Sequence, residues 1–167
     1  KAVKEGTEGW WNTIESADLD GDGDMDFVLG NVGENNFFEK GLTVFIADFD
    51  QNGTLEQIAC LEEEEGHFPI HEIDNLYAQM PLLKKKHRRY GAFSQAPLEQ
   101  LVEEAALDSA RQLFLKERRS AILWNEAGQL QLQALPRLAQ YSSIHAIAVE
   151  DINGDGLLDL LLAGAEH

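Results

Sequence analysis

The sequence predicts a mainly β protein of short antiparallel strands interrupted by one helical insertion. Three observations predict it. A turn rich in aspartate, with glycine at a fixed place, occurs three times, and each copy is flanked by short β-branched, aromatic and aliphatic runs. Between residues 74 and 110 the apolar period lengthens from 2 to 3.6. The 44% hydrophobic content of the 167 residues belongs to a globular domain and not to a disordered acidic tail.

The turns carry the chemistry. In the first, Asp18, Asp20 and Asp22 stand at positions 1, 3 and 5, Gly23 at 6 permits a sharp bend, Asp24 at 7 offers its backbone carbonyl, and Asp26 stands at 9. The same places hold Asp48, Asp50, Asn52, Gly53, Thr54 and Glu56 in the second turn, and Asp151, Asn153, Asp155, Gly156, Leu157 and Asp159 in the third. A carboxylate or amide at every second position of a tight turn is a cage of oxygens without nitrogen or sulfur, which suits Ca2+ with its roughly six to eight oxygen ligands at about 2.3–2.6 Å. Position 8 is apolar in all three, as Met25, Leu55 and Leu158, and is expected to anchor the turn. Solvated acidic turns are the plain alternative, but they give no reason for this threefold repetition. An EF-hand is excluded, because it needs flanking helices and an acid at position 12, where this chain has Leu29, Ala59 and Leu162.

Taken in order, 1–9 is a polar opening segment, 10–19 leads into the first turn and 25–29 leads out as a strand. A Gly/Asn-rich connection over 30–41 precedes the clearest strand, 42–49, and the second turn is followed by a strand from 55 to about 61. Glu62 to Glu65 would repel one another inside a sheet and so mark a solvated hairpin end. Asp74 caps a helix holding Leu76, Tyr77 and Met80. Basic residues follow over 84–89, and Pro97 at N1 opens a second helix with Leu98, Leu101, Val102, Ala105 and Ala106 on one face. Strands resume over 112–116, 120–126 and 129–135, with Ala127-Gly128 as a turn and Pro136 as a stop. The strand 144–149 enters the third turn and 158–163 leaves it.

Repeated metal hairpins joined by short strands point to a β-propeller or β-solenoid. A blade takes about 40–50 residues, so the chain is expected to form a partial β-propeller of two to three blades. The expected divisions are 1–73, repeat units with turns 1 and 2; 74–110, the helical insertion; and 111–167, repeat units with turn 3.

The net charge of −17 disfavours nucleic-acid phosphates as partners. Of the 30 acids, four, three and three are side-chain ligands in the three turns, and three divalent cations would cancel six charges. Cys60 is the one cysteine, so no internal disulfide and no cysteine zinc site forms; within Ile58-Ala-Cys-Leu61 it reads as a buried small hydrophobe. No apolar stretch approaches the roughly 20 residues of a membrane span, so membrane insertion is not expected. The chain opens at Lys1 and stops at His167 just after a strand, which is expected of an excerpt from a longer propeller.

Residues 18–31 (Asp-Leu-Asp-Gly-Asp-Gly-Asp-Met-Asp-Phe-Val-Leu-Gly-Asn) and 151–164 (Asp-Ile-Asn-Gly-Asp-Gly-Leu-Leu-Asp-Leu-Leu-Leu-Ala-Gly) resemble the FG-GAP/VCBS repeats of integrin-α-type β-propellers. Gly9-Trp-Trp-Asn12, Asp48-Phe-Asp-Gln-Asn-Gly53 and Leu82-Leu-Lys-Lys85 resemble bacterial secreted or surface proteins related to cartilage acidic protein. The resemblance implies a multi-bladed propeller with calcium in its hairpin loops, used for adhesion or recognition outside the cytoplasm. Loop 2 departs from the pattern with Asn52, with the longer Glu56, and without the Gly-Asn that follows loop 1.

The expected function is therefore a calcium-binding, non-enzymatic recognition or adhesion module. It would be extracellular, periplasmic or at the cell surface, with a protein or glycan ligand and the remainder of the parent propeller as partners. The alternative is part of a polysaccharide-acting enzyme with calcium in a structural role; it needs a carboxylate pair free of metal. A zinc site from His67, His71, His87 or His145 is disfavoured, because His67 and His71 straddle Pro69 in an extended stretch. Trp10, Trp11 and Trp124 read as packing residues before sugar platforms. Counting ligand charge ranks the loops 1, 3, 2 in calcium affinity.

Overall fold

The structure of the chain, a computed structural model, describes residues 6–37, 41–81, 83 and 96–165. In chain order its elements are β1 (Thr13–Ala17), β2 (Asp26–Gly30), β3 (Leu42–Ala47), β4 (Glu56–Glu63), β5 (Gly66–Pro69), α1 (Ile73–Gln79), α2 (Leu98–Leu101), α3 (Glu104–Asp108), β6 (Arg111–Phe114), β7 (Ala121–Glu126), β8 (Gln129–Ala134), a 3-10 turn (Arg137–Gln140), β9 (Ser143–Glu150) and β10 (Asp159–Ala165). The protein is mainly β, and its sheets are antiparallel.

Two compact units divide the chain: Lys1–Glu39 with Lys116–His167, and Lys40–Leu115. The boundaries expected at 73/74 and 110/111 both fall inside the second unit. The reason is physical: the helices of 74–110 share a core with the sheet beside them and do not stand apart from it. Loops 1 and 3 belong to the first unit and loop 2 to the second.

In the first unit four strands lie in the order β1-β2-β7-β8, and β9 pairs with β10 as a separate hairpin. Alternation sets the faces: Asp26, Val28 and Gly30 of β2 are buried while Phe27 and Leu29 are half-buried. The β7–β8 turn is Ala127-Gly128 as expected, with φ of 50° and 82°, and Asn125 Oδ1 accepts the Gly128 N–H at 3.0 Å. Beneath the sheet, buried polar groups satisfy one another. Gln140 Nε2 donates to the carbonyls of Ser120 and Leu135, its Oε1 accepts the Ser120 N–H, and Ser120 Oγ accepts the Asn31 N–H.

In the second unit the order is β5-β4-β3-β6. The register Phe45↔Ile58 and Thr43↔Cys60 puts the side chains of Phe45, Ala47, Ile58 and Cys60 into one core with Leu76 and Met80 of the first helical stretch and Leu98 and Leu101 of the second. A fully buried Ile or Phe contributes about 1.5–3 kcal/mol, so this shared core holds the helices on the sheet. Burial pushes the Cys60 thiol up to about 12, with the nearby Glu99 adding to the rise, and it stays a small hydrophobe.

Details of the helices differ from the sequence reading. Glu72 is the N-cap of α1, and Asp74 sits inside its first turn, where an acid suits the positive end of the helix. Pro97 is the N-cap of α2 with extended ψ of 158°, one place before N1. The expected single helix breaks at Val102, which is extended at φ −113°, ψ 172°, so Ala105 falls on α3 and is exposed. The basic run 84–89 lies outside the described residues. Glu64 and Glu65 form the turn between β4 and β5, and β5 itself was not foreseen.

His71 joins this unit by an acceptor. Its Nε2 takes the Ala59 N–H at 3.1 Å, which a protonated ring cannot do, and burial holds its pKa below the ordinary value of about 6.5. Below that value the unfolded chain takes up the proton more readily than the folded one. The stability from His71 is thus complete above about pH 6.5 and lost as pH falls below it. Melting temperatures measured from pH 7.5 to 5 should fall more steeply for the wild type than for His71→Gln.

Candidate metal centre

The three turns share one construction. Ala17 pairs with Asp26, Ala47 with Glu56 and Glu150 with Asp159, so in each hairpin the acid at position 9 is the first residue of the outgoing strand. The position 1 carboxylate accepts backbone N–H groups from within the turn. Asp18 takes Gly21 at 2.8 Å and Gly23 at 3.0 Å; Asp48 takes Asn52 and Gly53, both at 2.9 Å; Asp151 takes Gly154 at 2.7 Å, Asp155 at 3.1 Å and Gly156 at 2.9 Å. The position 5 oxygen accepts the N–H of position 7, from Asp24, Thr54 and Leu157. The position 9 acid reaches back to the N–H of position 2, from Leu19, Phe49 and Ile152.

Such close turning needs left-handed backbone at two places. Position 6 was foreseen, with Gly53 at φ 87° for example, and position 4 was not. Gly21 and Gly154 occupy position 4 in loops 1 and 3, but loop 2 has Gln51 there at φ 58°. A side chain in that region costs about 1–2 kcal/mol, offset partly by the entropy a glycine would lose. Gln51→Gly should therefore raise stability by roughly 0.5–1 kcal/mol, read as a higher midpoint in urea unfolding.

Two loops gather their acids. Oxygens of Asp18, Asp20 and Asp22 lie within 4.8 Å of one another, and so do those of Asp48, Asp50 and Glu56; each group could hold a metal ion. Among the described residues the acids of loop 3 form no such group: Asn153 turns its amide nitrogen onto Asp155 Oδ2 at 3.1 Å, and Asp155 Oδ1 takes the Leu157 N–H. The length of Glu56, which appears a handicap in the sequence, carries its carboxylate into the group while Oε2 still holds the Phe49 N–H at 2.8 Å. In loop 2 Thr54 Oγ1 donates to Asn52 Oδ1, and Asp50 Oδ1 is buried without a hydrogen-bond partner. An orphaned, buried carboxylate oxygen among further oxygens fits a hard cation such as Ca2+.

Asp26 has a second task. It is 3% exposed, and Oδ1 accepts the Asn125 N–H at 2.9 Å while Oδ2 accepts Leu19, so it ties loop 1 to the end of β7. Asn125 carries no signal in the sequence, being 99 residues away. The apolar residues at position 8 do not anchor the turns: Met25, Leu55 and Leu158 are 46%, 71% and 42% exposed. The buried place is position 9 in loops 1 and 2, Asp26 and Glu56, because that residue starts the strand with its side chain inward.

The described histidines do not converge. His67 Nδ1 meets Glu99 Oε1 at 2.6 Å, the lone pair of His71 Nε2 is taken by Ala59, His145 is exposed on β9, and His87 lies outside the described residues. Burial raises the Glu99 carboxyl, but the hydrogen bonds from His67 outweigh it and hold the pKa below the usual range. Trp10 is exposed and not packed in the core, and Trp124 Nε1 donates to Gln133 Oε1 at 2.7 Å. No protein-family model matches the chain, and no curated protein or solved structure matches it.

Proposed function

We propose that the chain is a calcium-binding, non-enzymatic recognition or adhesion module working outside the cytoplasm, part of a larger β-propeller. The observation that carries this reading is the repetition of one oxygen-lined hairpin at three places, with the same register and the same inward N–H bonds. Four strands in the up-and-down order β1-β2-β7-β8 match the strand number of a propeller blade, and β9–β10 repeats the first hairpin of such a blade. Millimolar extracellular calcium suits open turns of this kind. Among the described residues no helix is long and apolar enough to cross a membrane. The ligand would be a protein or a glycan.

The holding residues would be Asp18, Asp20, Asp22 and Asp26 with the Asp24 carbonyl in loop 1; Asp48, Asp50, Asn52 and Glu56 with the Thr54 carbonyl in loop 2; and Asp151, Asn153, Asp155 and Asp159 with the Leu157 carbonyl in loop 3. A bound cation supplies charge neutralisation and a cross-tie between strands. The chain's own part is to hold the acids together at a turn, against their repulsion, by donating backbone N–H groups to them.

Geometry changes the ranking that charge alone suggests. Loops 1 and 2 gather their acids and loop 3 does not, so the expected order of affinity is 1, 2, 3. Calorimetric calcium titration of the wild type, Asp20→Ala, Asp50→Ala and Asp155→Ala tests both the function and the order. The tightest step should vanish with Asp20→Ala and the next with Asp50→Ala. No heat of binding in the wild type would overturn the reading.

A further inference from the structure

We infer that the cleft between residues 33–36 and the turn 137–141 is a binding site for one neutral pyranose ring. Glu34, Asn35, Arg137, Gln140 and Tyr141 line it, and it encloses about 200 Å³. Drug-sized ligands occupy roughly 300–1,000 Å³, so this space takes a single ring and not a longer segment.

The cleft is held rigid from below. Gln140 is 2% exposed, its amide is fixed by three hydrogen bonds to Ser120 and Leu135, and its carbonyl accepts the N–H groups of Glu34 at 2.8 Å and Asn35 at 3.3 Å. Asn35 Nδ2 donates to the Tyr141 carbonyl at 3.2 Å, which joins the two walls. Gly33 has φ 79°, and a Cβ there would stand 2.6 Å from the Gln140 carbonyl oxygen, so the close approach requires glycine. The backbone walls therefore need little ordering on binding, and the cost falls on the exposed side chains.

The chemistry of the lining selects the ligand. An anion would meet the Glu34 carboxylate, and a cation would meet the Arg137 guanidinium. A hydroxyl both donates and accepts, so a polyol uses both groups together with Asn35 Oδ1. The Arg137 guanidinium carbon lies over the Tyr141 ring, 6.0 Å from its centroid, and Tyr141 is still 49% exposed, so part of the ring stays open to the C–H face of a sugar.

The inference rests on the recognition reading but uses no loop residue, so the two fail separately. Methyl glucoside, methyl galactoside and methyl mannoside are titrated into the calcium-supplemented chain while backbone amide shifts are followed by NMR. Expected are saturable shifts of Glu34, Asn35 and Tyr141 with at least one of the three, weakened about tenfold by Tyr141→Ala and several-fold by Arg137→Gln. Both side chains are exposed, and amide spectra of the variants check the fold. No saturable shift at these residues with any of the three sugars, or equal shifts with sodium acetate or methylammonium chloride, would overturn the site. Sugar binding without any calcium effect on melting would overturn the metal reading alone.

Discussion

Removing divalent cations with a chelator should lower the melting temperature of the protein by about 10–20 °C, and excess calcium should restore it. A ligand at 100 times its dissociation constant stabilises the state that binds it by about 2.7 kcal/mol. For a unit of 60–100 residues each kcal/mol moves the midpoint by about 4–8 °C. The two units each contain one gathered set of acids, Asp18, Asp20 and Asp22 in one and Asp48, Asp50 and Glu56 in the other, so both should respond. Repulsion inside each set acts against the empty fold, and a bound cation would remove it. Magnesium should restore little, because its rigid octahedral shell fits a flexible turn poorly. Calorimetric scans with and without chelator check this, and an unchanged curve after verified calcium removal would end the structural role of the metal.

The mainly β class and the place of nearly every described strand were legible because the turns announced themselves. Asp18 to Asp26, Asp48 to Glu56 and Asp151 to Asp159 each open and close a hairpin where expected. Strand β5 was missed because Gly66-His-Phe-Pro carries no alternation and includes proline; it pairs at a sheet edge, where a proline is tolerated. The helical face was drawn too long because periodicity does not register a break such as Val102, which is extended although it and Ala106 beyond it still pack against the core. Unit membership was not legible, since pairing of β2 with β7 depends on contacts some 90 residues apart and leaves no local pattern. At the site, spacing named the acids but not their division of labour. It treated Glu56 as a weaker ligand for its length, took Met25, Leu55 and Leu158 as anchors although solvent reaches them, and had no means of seeing that Asp26 bonds Asn125.

That division of labour leads to a sharp contrast between two aspartates of one loop. Asp26→Ala should destabilise the protein by about 3–5 kcal/mol even in chelator, because it strands the N–H groups of Leu19 and Asn125, and a hydrogen bond to a charged acceptor contributes about 1.5–3 kcal/mol. Asp20→Ala removes an exposed carboxylate that accepts the Asp22 N–H at 3.2 Å, a long contact, so in chelator it should cost less than about 0.5 kcal/mol. In calcium both variants should lose a proposed ligand, and Asp20→Ala should become costly as well. Asp26→Asn, which keeps one acceptor oxygen of the right length, should fall between wild type and Asp26→Ala in chelator. Urea unfolding of the three variants with and without calcium separates the roles. Equal losses for Asp26→Ala and Asp20→Ala in chelator would mean that Asp26 serves only as a ligand and that its bond to the β7 end carries no stability of its own.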